Sequence, residues 1–353
     1  MAKKDINSMY FDELAKDIEE LKLPKFRTKQ IFSRLHGKLC FDFHEMTELP
    51  EALREKLSEE YEIMFARLEN RQISKLDGTE KFLFAMEDDS LVESVLMKYK
   101  HGNSVCISSQ VGCRMGCKFC ASTLDGLTRN LTASEMLSQI YAIQKLTGER
   151  VSNIVVMGTG EPMDNYDNLI RFIKLISDEN GLNISKRNIT VSTCGIVPRI
   201  RAFAEEKLPV TLALSLHSVT DEKRRTLMPI ANKYSIAELM DAVDYYFKVT
   251  GRRITFEYSL VRDVNDTDED AQGLIRLAGR VKAHVNLIPI NPIKEREYRE
   301  TAGPRVLAFK NKLEKSGINV TIRREMGRDI DGACGQLRKR TMDENKQRRG
   351  QGD

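Results

Sequence analysis

No stretch of this 353-residue sequence approaches the roughly 18 consecutive apolar residues of a membrane span, which excludes a transmembrane helix. The amino terminus, MAKKDINSMYFDEL, lacks the apolar core of a secretion signal, so a soluble cytoplasmic protein with no membrane partner is the expectation. Internal repeats and long low-complexity segments are missing too, and with them repeat arrays and fibrous folds. Neither charge dominates: the formal net charge of +4 argues nothing about nucleic acid by itself. The cysteines lack an even count. There are 7, three of them crowded between Cys113 and Cys120, which in a reducing compartment reads as metal binding or catalysis rather than a disulfide scaffold.

What is present fits one large globular domain with a smaller appendage, since 41% of residues are hydrophobic and 31% charged. The distribution of charge says more than its sum. Between Leu21 and Cys40 lie Lys22, Lys25, Arg27, Lys29, Arg34 and Lys38 with no acidic residue among them. Residues 338–353 form a second basic stretch, expected as a disordered tail.

Residues 1–70 read as a small helical domain, because DELAKDIEELKL, FRTKQIFSRLHG and ELPEALREKLSEEY place apolar residues at three- and four-residue steps. Over 71–103 the period drops to two, with turn signals at Asp77-Gly78, Asp88-Asp89 and Gly102-Asn103, which predicts an antiparallel β-hairpin linker. From 104 to 337 strands and helices alternate. Thr132 and Glu135 make a capping box for the first helix. Apolar strands at NIVVMG, NITVST, VTLALSLH, RITFEYSLV and VNLIPI alternate with helical segments, and INVTIRR closes the series. With SVCIS counted first, six strands enter the repeat, enough for a partial (β/α)6 barrel of the α/β class and too few for an eightfold one. In such a barrel the active site lies at the carboxyl ends of the strands. Cys113 to Cys120, Gly158 to Glu161, Ser192 to Gly195, Ser215 to His217 and Asn291 all fall there.

CRMGCKFC is a C-x3-C-x2-C triplet, a set of thiolates suited to an iron–sulfur cluster. Three protein ligands leave one iron of a [4Fe-4S] cluster available to another molecule. The competing reading is a structural zinc site with Cys106 as fourth ligand, but the spacing is not that of two separated C-x2-C knuckles. The triplet, with Phe119 just before its last cysteine, resembles the radical-SAM superfamily, as does VVMGTGEP. In that superfamily such a glycine-rich turn binds the methionine end of S-adenosylmethionine, with Glu161 supplying an acceptor for the ammonium group.

CISSQVGCRMGCKFC, RREMGRDIDGACGQL and SLHS bring the resemblance close to the RlmN branch of the RlmN/Cfr family of RNA adenine methyltransferases. The similarity runs along nearly the whole chain, the helical start included. It implies methylation of C2 of an adenine in the peptidyl-transferase region of 23S rRNA, and of the adenosine 3′ of the anticodon in some tRNAs. Two molecules of S-adenosylmethionine are then used per turnover. By matching position, the first would methylate Cys334. The second, cleaved at the cluster held by Cys113, Cys117 and Cys120, would yield a 5′-deoxyadenosyl radical that removes a hydrogen from that methyl group. The methylene radical would add to the adenine, Glu93 would accept a proton, and Cys106 would release the product by forming a disulfide with Cys334. Cofactor contacts implied in the same way are Gly160, Glu161, Ser192, Ser215, Leu216, His217 and Asn291. A reducing electron donor such as flavodoxin and a monomeric enzyme complete the picture, with Cys40 and Cys194 as structural bystanders. Two alternatives stand beside it: a Cfr-type enzyme acting on C8 of the same adenine, and a zinc-stabilised RNA-binding module without catalysis. VGC rather than CGC at 111–113 argues against the first, and the barrel pattern against the second.

Overall fold

The computed structural model describes residues 3–290, 297–330 and 335–341. A short strand β1 (Lys4–Asp5) pairs in parallel with β2 (Tyr61–Glu62), and between them lie three helices, α1 (Phe11–Glu20), α2 (Phe26–His36) and α3 (Glu51–Glu60). Each buries the apolar face its sequence spacing predicts: Leu14 and Ile18 in α1, Ile31, Phe32 and Leu35 in α2, Leu53 and Leu57 in α3. These side chains join the same continuous core as the rest of the molecule. Polar ties reinforce the junction. Arg171 Nη1 donates to Glu13 at 2.5 Å and to the Ser8 carbonyl at 2.8 Å, and the His36 and Tyr141 rings hydrogen-bond at 2.8 Å.

Next comes the antiparallel part, β3 (Arg67–Ile73), β4 (Glu80–Ala85) and β5 (Leu91–Tyr99), with turns at the two Asp-containing signals. The third turn falls one step earlier than expected: Gly102, at φ +118°, already starts β6 (Gly102–Ile107). A hairpin of β7 (Gln110–Gly112) and β8 (Leu127–Asn130) follows, and then the alternating series: α4 (Ala133–Thr147), β9 (Val151–Val156), α5 (Tyr166–Ile176), β10 (Ile189–Thr193), α6 (Val197–Glu205), β11 (Thr211–Ser215), α7 (Asp221–Leu227), α8 (Ile236–Thr250), β12 (Thr255–Leu260), α9 (Asp268–Val281), β13 (His284–Pro289), α10 (Gly303–Lys315) and β14 (Val320–Ile322).

Strands β6, β9, β10, β11, β12, β13 and β14 are parallel neighbours in that order, six in the repeat and a terminal one, so the open partial barrel is as expected. The strands expected as a linker are more than that. β5 pairs with β6, and β3, β4 and β5 extend the barrel sheet into one of 10 strands. Capping boxes start α4 (Thr132 with Glu135), α8 (Ser235 with Glu238) and α9 (Thr267 with Asp270). Among the described residues no helix is long and apolar enough to cross a membrane.

The expected tail at 338–353 needs correction at its start. Residues 336–341 are helical, with Leu337 and Arg338 buried, because the Glu93 carboxylate accepts the first free amides of that turn. Residues 342–353 lie outside the described residues.

Candidate active site

The cysteine loop is the segment between β7 and β8. The Cys113 amide donates to the Gly126 carbonyl at 2.8 Å and the Cys120 amide to the Cys117 carbonyl at 3.2 Å, so the hairpin gathers the loop at its base. Cys113 and Cys117 are buried, and Cys120 is partly exposed. All three line a cavity of about 140 Å³ together with Glu161, Ser192, Ser215 and His217. Burial pushes the Cys113 thiol up to about 12, and Cys117 is raised as well by burial and by the neighbouring Cys120 and Cys113. Thiols buried in this way stay protonated near neutrality unless a cation sits among them, and the irons of a cluster supply that charge. Among the described residues no three His, Cys, Asp or Glu side chains close around a single-ion position. A four-iron cube instead takes its cysteines at separate corners. The donor set therefore fits a [4Fe-4S] cluster with one free iron.

The glycine-rich turn after β9 is wedged against the end of β6. A Cβ on Gly160, at φ +110°, would stand 2.6 Å from Cβ of Gln110, and one on Gly158 would stand 2.7 Å from the Ile107 carbonyl oxygen. Close approach of backbone to backbone thus accounts for both glycines, in addition to their place in the cavity wall. Glu161 is buried, and burial raises its pKa. One of its oxygens accepts the Met163 amide at 3.0 Å and the other the Cys194 amide at 2.7 Å, which ties the turn to the end of β10. The remaining lone pairs are what it can offer an ammonium group. Gln110 completes the joint: its Oε1 accepts the Glu161 amide at 2.8 Å and its Nε2 donates to Asp164 at 3.0 Å, while Arg114 of the loop pairs with Asp164 at 2.5 Å.

At the ends of β10 and β11, Ser192 and Ser215 line the cavity, whereas the Leu216 side chain is fully buried in the core and only its backbone is placed for polar contact. His217 adopts a left-handed backbone (φ +55°) that turns its ring into the cavity wall. Its Nδ1 accepts the Ser259 amide at 2.9 Å, so the neutral ring carries its proton on Nε2, and burial together with Arg224 lowers its pKa to about 3. The Phe119 ring stands edge-on to it, centroids 4.9 Å apart.

A second cavity of about 880 Å³ runs along the concave face of the strands and shares Met157 with the first. Cys106 lines it, as do Glu257 and Asn286, and its far wall is the strap of residues that follows β14. That strap crosses the open side of the barrel to the β3–β4 turn: the Gly327 amide donates to Asp77 at 3.0 Å, and Asp329 accepts from the Ser74 hydroxyl at 2.6 Å and the Lys75 amide at 2.8 Å. Beyond it the Glu93 carboxylate accepts the Gly335 amide at 2.5 Å and the Arg338 amide at 2.6 Å, and pairs with buried Lys81 at 3.1 Å. Ile330 and Gln336, on either side of Cys334 in the chain, line the same cavity as Cys106. Cys334 itself and Asn291 lie outside the described residues.

Two neighbours of the loop escaped the sequence reading. Cys194, expected as a bystander, lines the smaller cavity and packs with Cys117. Arg224 on α7 is fully buried, donates Nε to the Leu216 carbonyl at 3.1 Å and Nη2 to the Cys194 and Ser215 carbonyls at 2.7 and 3.3 Å, and has no Nη1 partner among the described residues. Desolvation of such a group costs about 1–3 kcal/mol or more, so a compensating interaction is to be expected. The signals were there in CGI and DEKRRTL, but a charge-rich heptapeptide reads as surface.

Against known proteins, the family model described as Radical SAM superfamily matches residues 107–277, and that described as Ribosomal RNA large subunit methyltransferase N-terminal domain matches residues 5–63. A probable dual-specificity RNA methyltransferase RlmN of Lachnospira eligens is 63% identical over 340 residues, covering 96% of this chain and 97% of its own. Its counterpart in Lachnoclostridium phytofermentans is 60% identical over 341 residues, 97% and 96% of the two chains. Among solved structures, a radical SAM methyltransferase from Sphaerobacter thermophilus superposes with a TM-score of 0.90 at 40% identity, covering 94% of this chain and 98% of that one.

Proposed function

This chain belongs to the RlmN family of radical-SAM RNA methyltransferases, and on that premise we propose that it methylates C2 of an adenine in the peptidyl-transferase centre of 23S rRNA and of the adenosine 3′ of the anticodon in some tRNAs. The observation that carries this reading is the convergence of Cys113, Cys117 and Cys120 with Glu161, Ser192, Ser215 and His217 on one cavity at the carboxyl ends of the strands. Bound there, the cluster and S-adenosylmethionine supply a one-electron route to a carbon radical, which the electron-poor C2 of adenine requires.

The chain's own residues divide the remaining work. Gly160, Glu161, Ser192, Ser215 and His217, the Leu216 backbone, and Asn291 hold S-adenosylmethionine. His217, kept neutral by burial, serves as a donor through Nε2 without adding charge. Cys334 carries the methyl group as an S-methyl thioether. Cys106 attacks its sulfur to release the product, and its place on the larger cavity, with Ile330 and Gln336 opposite, supports the pairing. Glu93 accepts the C2 proton once its bonds to the 335–338 backbone are exchanged. Helix α2 and its approach, with Lys22, Lys25, Arg27, Lys29, Arg34 and Lys38, neutralise RNA phosphates, which makes affinity salt-dependent. The adenine leaves its stack to reach the cavity, at about a few kcal/mol. We place the enzyme in the cytoplasm as a monomer, reduced by a donor of the flavodoxin type.

Nucleoside analysis of 23S rRNA treated with the anaerobically reconstituted protein tests this. The expected product is 2-methyladenosine; 8-methyladenosine would transfer the chain to the C8 reading, and a colourless, zinc-only protein with no product would leave a binding module. Cys106→Ala should accumulate a covalent protein–RNA adduct, visible as a retarded band on a denaturing gel. Normal turnover by that variant would remove Cys106 from the reaction.

A further inference from the structure

We propose that Arg224 is a fixed positive charge built behind the cysteine loop, whose effect is to favour the reduced, more negative state of the iron–sulfur cluster. The inference rests on the cluster reading above. Arg224 is a buried cation that no carboxylate among the described residues pairs with directly. The guanidinium is fully buried and its hydrogen bonds go to three backbone carbonyls (Cys194, Ser215 and Leu216); among the described residues no carboxylate hydrogen-bonds to it and Nη1 has no partner, and Asp221 on the same helix acts on it only through space. A neutral donor would serve to hold those strand ends. A charge in a low-dielectric interior calls for an anion nearby.

The direction of that anion follows from the helix that carries the arginine. The Lys118 amide of the cysteine loop donates to the Leu227 carbonyl at 2.8 Å, and Cys117 packs against Leu227 and Met228, so α7 forms the floor of the loop. The carbonyls that fix the guanidinium belong to the ends of β10 and β11, the same strand ends that supply Ser192 and Ser215 to the cavity. Its Nη2 reaches the Cys194 carbonyl at 2.7 Å, and Cys194 packs with Cys117 of the loop. Three thiolates bound to the cluster make the site anionic, and the one electron taken up on reduction makes it more so. A nearby cation that cannot lose its proton therefore stabilises the reduced state more than the oxidised one. Arg224 is a positioning charge rather than a catalytic residue, for it is not part of the cavity wall.

The test is an anaerobic dithionite titration, followed by electron paramagnetic resonance without S-adenosylmethionine, of the reconstituted wild type, Arg224→Met, Arg224→Gln and Arg224→Lys, with iron and sulfide counted per chain. A wild type that binds no cluster overturns the cluster reading and this inference with it. With the cluster in place, both neutral variants should show a midpoint potential at least about 59 mV lower, a tenfold change in a one-electron equilibrium. The Lys variant should stay close to wild type. Neutral variants that hold a full cluster at the wild-type potential overturn the proposal and leave Arg224 as a carbonyl clamp. Should the neutral variants fail to fold, the Lys variant decides: a potential as low as about one tenfold step below wild type contradicts the proposal, and an unchanged one supports it.

Discussion

His36 and His217 are both buried and both held near pKa 3 against an ordinary 6.5, His36 by desolvation alone and His217 by desolvation and Arg224. Their folded-state pKa values are depressed, so below pH 6.5 the unfolded chain takes up protons that the folded chain refuses. The stability they contribute is complete above 6.5 and is lost as pH falls towards 3. Each histidine accounts for up to about 1.4 kcal/mol per pH unit in that window. Urea unfolding at roughly pH 6 and pH 5, above the main carboxylate range, should show the slope, and His36→Gln should make it shallower. An unchanged slope would mean that His36 is protonated inside the protein. At this scale the sequence was legible where residue type and spacing coincide, as in the cysteine triplet and GTGEP. It was silent where burial decides. Nothing in DEKRRTL says that Arg224 faces inward while Arg225 does not, and nothing in SLH says that Leu216 belongs to the core.

The element that presents the cluster ligands is the β7–β8 hairpin, and its closure depends on Gly112. A Cβ there, at φ +77°, would fall 2.0 Å from the Gly126 carbonyl oxygen, the same atom that accepts the Cys113 amide. Gly126 has a similar φ of +69° with nothing within 4 Å of its Cβ position. Gly112→Ala should therefore cost at least about 3 kcal/mol and lower the iron bound per chain, whereas Gly126→Ala should cost about 1–2 kcal/mol of backbone strain and keep its iron. Equal losses in thermal stability and iron content would contradict this account of the hairpin. The hairpin was not legible beforehand, because β7 is 3 residues long and its partner lies beyond the cysteine loop. α7, 7 residues and mostly charged, escaped for the same want of periodic signal. The longer alternating elements were plain because period and caps agreed, Thr132 with Glu135 among them.

Over the whole molecule, one sheet of 10 strands joins the antiparallel extension to the barrel, and the strap after β14 returns to that extension across the open side. The sequence could show the hairpin turns, the one between β5 and β6 included, but not that β6 pairs in parallel with β9, since that pairing sets Asn103 against Val151, far away in the chain. The strap is held chiefly through Asp77 and Asp329. Asp329→Asn keeps one acceptor but weakens the contacts to Ser74 and Lys75, and it should speed hydrogen exchange of residues 323–330 several-fold while leaving α4 and α5 unchanged. Uniform acceleration across the chain would show instead that the strap's anchor is part of the global fold.

The central claim is that the methyl group reaches the adenine as a carbon radical carried on a cysteine. Supplying S-adenosylmethionine with a fully deuterated methyl group, after pre-formed methyl has turned over, tests it by mass spectrometry of the digested RNA. The account predicts 2-methyladenosine whose methyl group retains two deuterons, with the third found in 5′-deoxyadenosine. A methyl group delivered with all three deuterons would contradict it, because direct polar transfer breaks no carbon–hydrogen bond.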